Sequence, residues 1–220
     1  MGRIILTISG SWDIAPVFNT ELHTEVKGPD RDFAEDFVFV GRRAQVLDDS
    51  DIDDVRKHKH LIHAGIDFDG EGLKWARMAA QLALDAVAAG ATGVFVETAC
   101  KAFTKKALSG LNPNDPHSLF HLFVEVMGDA THFSTEGMHA FGLPEVKAPY
   151  SNVNRDSAQA AVISLAARMV CERFQPVNDG YFRASESAPL YEVTQADTDT
   201  PTPDDPYVNT RPPWILQFSD

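Results

Sequence analysis

The chain has 220 residues, a net charge of -13 and a pI near 4.9. With 44% hydrophobic and 23% charged residues it can bury a sizeable core, and it is read as a single domain over 1–220. The acidity disfavours nucleic-acid phosphates and anionic membrane surfaces as partners, and two cysteines, Cys100 and Cys171, are too few for a disulfide scaffold.

Residues 3–9 (RIILTIS), β-branched and apolar and closed by Gly10, predict a first strand buried on both faces. Residues 37–40 (FVFV) predict a second. From Asp48 to Lys59 the charges predict a short helix, with Ser50 and Asp53 at capping-box spacing and Arg56, Lys57 and Lys59 at its end. A strand over 60–66 leads into the acidic turn Asp67-Phe68-Asp69-Gly70. The helix over 71–89 is the clearest element, because Lys74, Arg77, Gln81 and Asp85 form one narrow polar stripe on an otherwise Ala- and Leu-rich surface. A strand at 93–97 follows, so 60–97 is a strand–helix–strand unit whose strands are parallel if they share a sheet.

The run 118–127 (SLFHLFVEVM) fits either a helix begun at Pro116 or the first arm of a hairpin. Val124, Val126 and the phenylalanines favour the hairpin over 119–137, turning at Gly128-Asp129. A second major helix is expected over 152–174, with Asn154 as its cap. YFRAS, LYEV and WILQF are short strands, and 195–206 (QADTDTPTPDDP) is an acidic loop rich in Pro, Asp and Thr. The fold class is therefore α+β, a mixed sheet with two main helices packed on it. No stretch has the length or apolarity of a signal peptide or membrane span, so the expected location is cytoplasmic.

Residues 135–146 (TEGMHAFGLPEV) resemble a motif of a family of uncharacterised bacterial domains, Thr-x-Gly-Met-x-x-Phe-Gly-x-x-Glu-hydrophobic. Other features agree in order over about 60–185: the buried helix before GVFVE, the helix after the motif, and Asp179-Gly180 opening a strand. The resemblance implies a compact α+β fold and a bacterial source. It brings no catalytic residue with it.

Candidate chemistry is sparse. His58, His60 and His63 precede Asp67 and Asp69, and imidazole with carboxylate suits zinc, iron or manganese. On a strand, however, His60 and His63 point to opposite faces, which leaves His58 and His60 as the weak metal candidates and surface histidines as the preferred reading. Asp67, Asp69, Glu71 and Gly72 imitate a calcium loop, but its twelfth place is Met78 rather than an acid. His117, His121 and Glu125 would share a helical face; on a strand they lie roughly 13 Å apart in succession, too far for one ion. Cys100, beside Glu97 and Lys101, sits at the carboxyl end of a strand, where open sheets place ligands, although a lone cysteine more often packs as a small hydrophobe. Cys171 is expected in the core. The 135–146 motif could present Thr135, Glu136 and His139 to a ligand, or its glycines could serve a tight turn alone.

Two functions follow. The first is a non-enzymatic binding protein whose acidic surface engages a basic partner (an immunity protein against a basic toxin is one form), since 186–220 holds seven acids and one base, Arg211. The alternative is a small-molecule enzyme such as a hydrolase, with a pocket near 97–101 and 135–142 lined by Glu97, Cys100, Thr135, Glu136 and His139. No cofactor motif is present.

Overall fold

The computed structural model describes residues 1–44, 47–196 and 209–219. The strand predicted at 3–9 is β1 (Gly2–Gly10), and it is the centre of a five-stranded sheet. Ile4, Leu6 and Ile8 are fully buried on one face, Thr7 and Ser9 on the other. β3 (His60–Phe68) and β4 (Ala91–Val96) flank β1 and both run antiparallel to it. They are therefore parallel to each other, as the strand–helix–strand reading required, with β1 inserted between them. β2 (His23–Lys27) lies outside β3, and β5 (Lys101–Thr104) lies outside β4.

One face of this sheet packs against the helix spanning Gly72–Ala88. Ala76, Ala79, Ala80, Ala83 and Ala86 are fully buried, and their small side chains let the helix approach the strands closely. Lys74, Arg77, Gln81 and Asp85 form the exposed stripe, as expected. The other face carries α1 (Arg31–Ala44) and α2 (Asp49–Arg56), which makes the Gly72–Ala88 helix α3. The strand expected at 37–40 is thus overturned. Ala34, Phe37 and Val40 recur at helical spacing and pack with Val55 and Ala102, whereas Phe39, which strict alternation would pair with Phe37, is 67% exposed. In α2 the cap is Asp48, which accepts from the Asp51 N–H at 2.9 Å; Ser50 instead donates to Asp48.

The second sheet has the order β6 (Glu125–Gly128), β7 (His132–Glu136), β8 (Val146–Pro149), β11 (Trp214–Phe218), β10 (Tyr191–Gln195), β9 (Gly180–Phe182). Only its β8–β11 pair is parallel. The expected hairpin turns at Gly128-Asp129, but its first arm begins at Glu125. The preceding run is a helix, α4 (Pro116–Phe123), with Pro116 in the first turn and Asp115 capping the His117 N–H at 3.0 Å. α5 (Arg155–Cys171) covers the inner face of this sheet, and α4 packs between α3 and α5. Asn154 occupies the cap position of α5, yet its side chain accepts from the Ser151 N–H instead.

The class is α+β, with 36% helix and 29% strand. The architecture differs from one sheet carrying two helices: two sheets and five helices are present among the described residues. A continuous apolar cluster joins the sheets, running from Ile4 through Phe123 and Leu165 to Leu216. Among the described residues no helix is long and apolar enough to cross a membrane. Most of the acidic loop expected at 195–206 lies outside the described residues.

Because Leu165 is fully buried and Ile163 is 39% exposed on the same helix, their truncations should separate. Leu165→Ala is expected to cost about 2–5 kcal/mol and Ile163→Ala about 1 kcal/mol or less in urea denaturation.

Candidate functional site

β4 ends in a single 3-10 turn, Glu97–Ala99, followed by Cys100 in a left-handed conformation (φ 48°). β7 runs into Gly137 (φ 104°) and a second 3-10 turn, Met138–Phe141. These two corners touch. A Cβ on Gly137 would lie 2.9 Å from the Ala99 methyl and 2.0 Å from the Phe123 carbonyl oxygen, so the position requires glycine for space as well as for φ. Residues 97–101 and 135–142 therefore approach each other at Ala99 and Gly137.

What organises the second corner is a residue the sequence reading left aside, Glu145. Its Oε2 accepts from the Thr135 hydroxyl at 2.6 Å. Its Oε1 accepts from the Met138 N–H at 3.0 Å and from Asn209 Nδ2 at 3.0 Å, with His139 Nδ1 at 3.4 Å. Thr135 Oγ1 in turn accepts from the Val146 N–H at 2.8 Å. Thr135 and His139 are both buried, and this network holds the fold of the corner; neither Thr135 Oγ1 nor His139 Nδ1 is presented to a ligand. Residues 135, 137, 142 and 145 of the motif thus have a geometric reason: a hydroxyl and a carboxylate that bond each other, and two glycines at positive φ.

Glu136 differs. It lies directly opposite Glu125 across the β6–β7 pair, on the face that carries Met127 and Ser134. Like charges facing each other are unfavourable unless one is compensated. Lys101 compensates Glu125, with Nζ 3.2 Å from its carboxylate, and also donates to the carbonyls of His121 at 2.6 Å and Val124 at 3.0 Å at the end of α4. Burial pushes the Lys101 ammonium pKa down, and Glu125 opposes that. Among the described residues Glu136 has no such cation in contact. Its Oε2 is buried without a hydrogen-bond partner, and burial, then repulsion from Glu145, raises its carboxyl pKa against the weaker pull of His139 and Arg43. His139 Nε2 and Thr98 Oγ1 are likewise buried without partners.

This face opens into a cleft of about 450 Å³ between α1, Cys100 and the β6–β7 hairpin, lined by Val40, Arg43, Cys100, Glu125, Met127 and Ser134 among others. Arg43 Nη2 lies 3.2 Å from Met127 Sδ. Cys100 is half-buried; desolvation first, then the Glu136 charge, pushes its thiol pKa up, which opposes thiolate formation. Glu97 turns the other way: its carboxylate accepts from the Thr7 hydroxyl, and His63 Nδ1 lies 2.8 Å from that hydroxyl and 3.7 Å from Glu97. Sequence reading missed Arg43 and the Thr7 contact because both depend on which strands and helices become neighbours.

His58 and His60 are placed by backbone contacts. His58 is buried with Nδ1 2.7 Å from the Val55 carbonyl and Nε2 accepting from the Asp30 N–H at 2.9 Å, so both ring nitrogens are committed. His60 Nδ1 meets the Trp12 carbonyl at 3.0 Å. His117 lies 3.5 Å from Cys171, whose half-buried thiol is pushed up to about 11 by desolvation, and Glu125 belongs to Lys101. Among the described residues no group of three His, Cys, Asp or Glu side chains is placed to hold a metal ion.

Compared with protein-family models, curated proteins and solved structures, the chain finds no match in any of the three.

Two outcomes test this geometry. Glu145→Ala should lose about 3 kcal/mol, the scale of two hydrogen bonds to a charged acceptor, and Thr135→Val about 1 kcal/mol, in denaturation at neutral pH. For Glu136 the folded carboxyl pKa lies above its unfolded value. The native state therefore keeps a proton that the unfolded chain releases, and stability falls as pH rises from the ordinary carboxyl range through the raised value. Glu136→Gln should match the wild type below the ordinary carboxyl range, about pH 4, and gain on it as pH rises through the raised value. A stability difference constant across that range would contradict the assignment.

Proposed function

We propose that the chain is a small-molecule hydrolase working by acid–base catalysis in the cleft beside Cys100, with Glu136 as proton donor and Glu125 as base. One observation carries this reading: two carboxyl groups face each other on neighbouring strands, one with a lysine partner and the other half-buried with an unpartnered oxygen and a raised pKa. Environments that separate the protonation of two adjacent carboxyls are what acid–base hydrolysis needs. Glu125 takes a proton from water as the water oxygen bonds to the electrophilic carbon, and the bond from that carbon to the leaving atom breaks as Glu136 gives the leaving atom its proton. Arg43 at the cleft holds an anionic part of the substrate. Nucleophilic roles for Cys100 and Thr135 have less support, since the thiol pKa is raised and the Thr135 hydroxyl is engaged by Glu145.

The acidic-surface reading draws on the seven acids of 186–220. Much of the carboxyl-terminal acidity that motivated it lies outside the described residues. The resemblance of 135–146 to uncharacterised bacterial domains is proposed to report a shared corner built on Thr135, Gly137, Gly142 and Glu145.

A panel of chromogenic esters and glycosides tests the function. Turnover is expected to fall with rising pH as Glu136 deprotonates, and Glu136→Gln should lower kcat/KM by about 100-fold or more. Equal turnover by the variant, or no turnover of any substrate, overturns the reading.

A further inference from the structure

A second cavity lies at the junction of the start of α3, the end of α5 and the 141–143 segment of the motif corner, with a volume of about 580 Å³. Its floor is apolar: Phe141, Met169 and Val170 are buried, and Leu143 and Phe174 are partly so. Its rim carries Lys74, Arg77 and Arg173, all exposed. Three cations around one apolar hollow stand out in a chain of net charge -13.

Of the three, Lys74 has a carboxylate partner, whereas no ion pair of Arg77 or Arg173 is found among the described residues. Glu71, the acid in the lining, lies 3.8 Å from Lys74, and the adjacent Glu172 is held by Arg168 at 3.0 Å. Arg77 uses its Nε on the Pro113 carbonyl at 3.2 Å, a contact that leaves its charge uncompensated. Arg173 stands two residues beyond the end of α5 at φ 57°, beside the apolar hollow.

We propose that this cavity binds an amphipathic monocarboxylate, a single carboxylate on an extended apolar body. The carboxylate meets the guanidinium groups of Arg77 and Arg173, which present paired donors matched to its two oxygens. The apolar body lies on Phe141, Leu143, Met169 and Phe174, where burial of its surface supplies most of the affinity. The volume falls within the range of small-molecule sites, about 300–1,000 Å³. This site uses none of the groups assigned to hydrolysis.

Titration of the full-length protein with decanoate, followed by backbone amide NMR, tests the proposal. Saturable shifts are expected at residues 71–77, 141–143 and 169–175. The double variant Arg77→Gln/Arg173→Gln should weaken binding by about tenfold or more, the scale of one charge-assisted hydrogen bond. Both side chains are exposed and the variant gives up one hydrogen bond, Arg77 Nε to the Pro113 carbonyl, so its urea midpoint should fall only slightly and the fold should persist. Glu136→Gln should leave decanoate binding unchanged, which separates failure of this site from failure of the hydrolase reading. Equal affinity for methyl decanoate would show that the carboxylate is irrelevant and overturn the proposal. So would unchanged binding in the double variant, or the absence of saturable shifts.

Discussion

The Glu145 carboxylate collects four donors from three stretches of chain: the Thr135 hydroxyl on β7, the Met138 N–H and the His139 ring in the corner, and the Asn209 amide before β11. Its side chain is 13% exposed, and burying a carboxylate so deeply is costly unless its lone pairs are used. Here they are used, and the corner becomes rigid enough to serve as a contact surface for the first sheet. The Phe141 carbonyl passes where a Cβ on Gly72 would sit, and the His139 carbonyl passes near the corresponding position on Gly2. Backbone packs on backbone at both places. The two sheets are thus joined through a loop whose shape one carboxylate enforces.

The character of the cleft follows from that corner. With Thr135 drawn inward to Glu145, strand alternation sends Ser134 and Glu136 to the opposite face, where Ser134 lines the cleft and the Glu136 charge acts on the Cys100 thiol. Lys101, at the start of β5, is claimed by the carboxyl end of α4 and by Glu125. A lysine with two carbonyls and one carboxylate around it has no remaining donor suited to Glu136. The unpartnered oxygen of Glu136 is therefore a consequence of how neighbouring demands are met, and its raised pKa reports the shortage.

The long elements were legible because their burial pattern repeats. β1 is covered on both faces and reads as an apolar run; the alanines and polar stripe of α3 repeat over 17 residues. The short ones were not. Four residues of FVFV fit alternation by chance, and the wider window holding Ala34, Phe37 and Val40 is what reveals α1. In α4 the β-propensity of later residues outweighed a start signal that was present, Asp115 followed by Pro116. The candidate site shared both fates. Glu97, Cys100 and the 135–142 motif were legible as strand-end residues, and the two corners do meet, although Glu97 itself turns to Thr7. Arg43 was hidden, since its place in the cleft depends on α1, where a strand had been expected. Glu145 stood in the motif without visible chemistry, because its role depends on the three-dimensional return of the chain at Asn209.

Charge gives the two cavities a common logic. In a chain with 32 acidic and 19 basic residues, carboxylates outnumber the cations available to pair with them. Many cations accordingly have carboxylate partners: Arg3 with Asp67, Arg56 with Glu35, Lys59 with Asp13, Arg168 with Glu172. Against that surplus, a guanidinium whose hydrogen-bond partner is a thioether or a carbonyl keeps its full charge where it stands. Arg43 has the sulfur of Met127 and Arg77 the carbonyl of Pro113, and each borders a cavity. Long-range repulsion from the net negative charge slows the approach of any anion, so an anionic ligand must gain its affinity from contacts made inside the hollow. Apolar contact area beside a local cation supplies that combination, and the junction of α3 and α5 provides both.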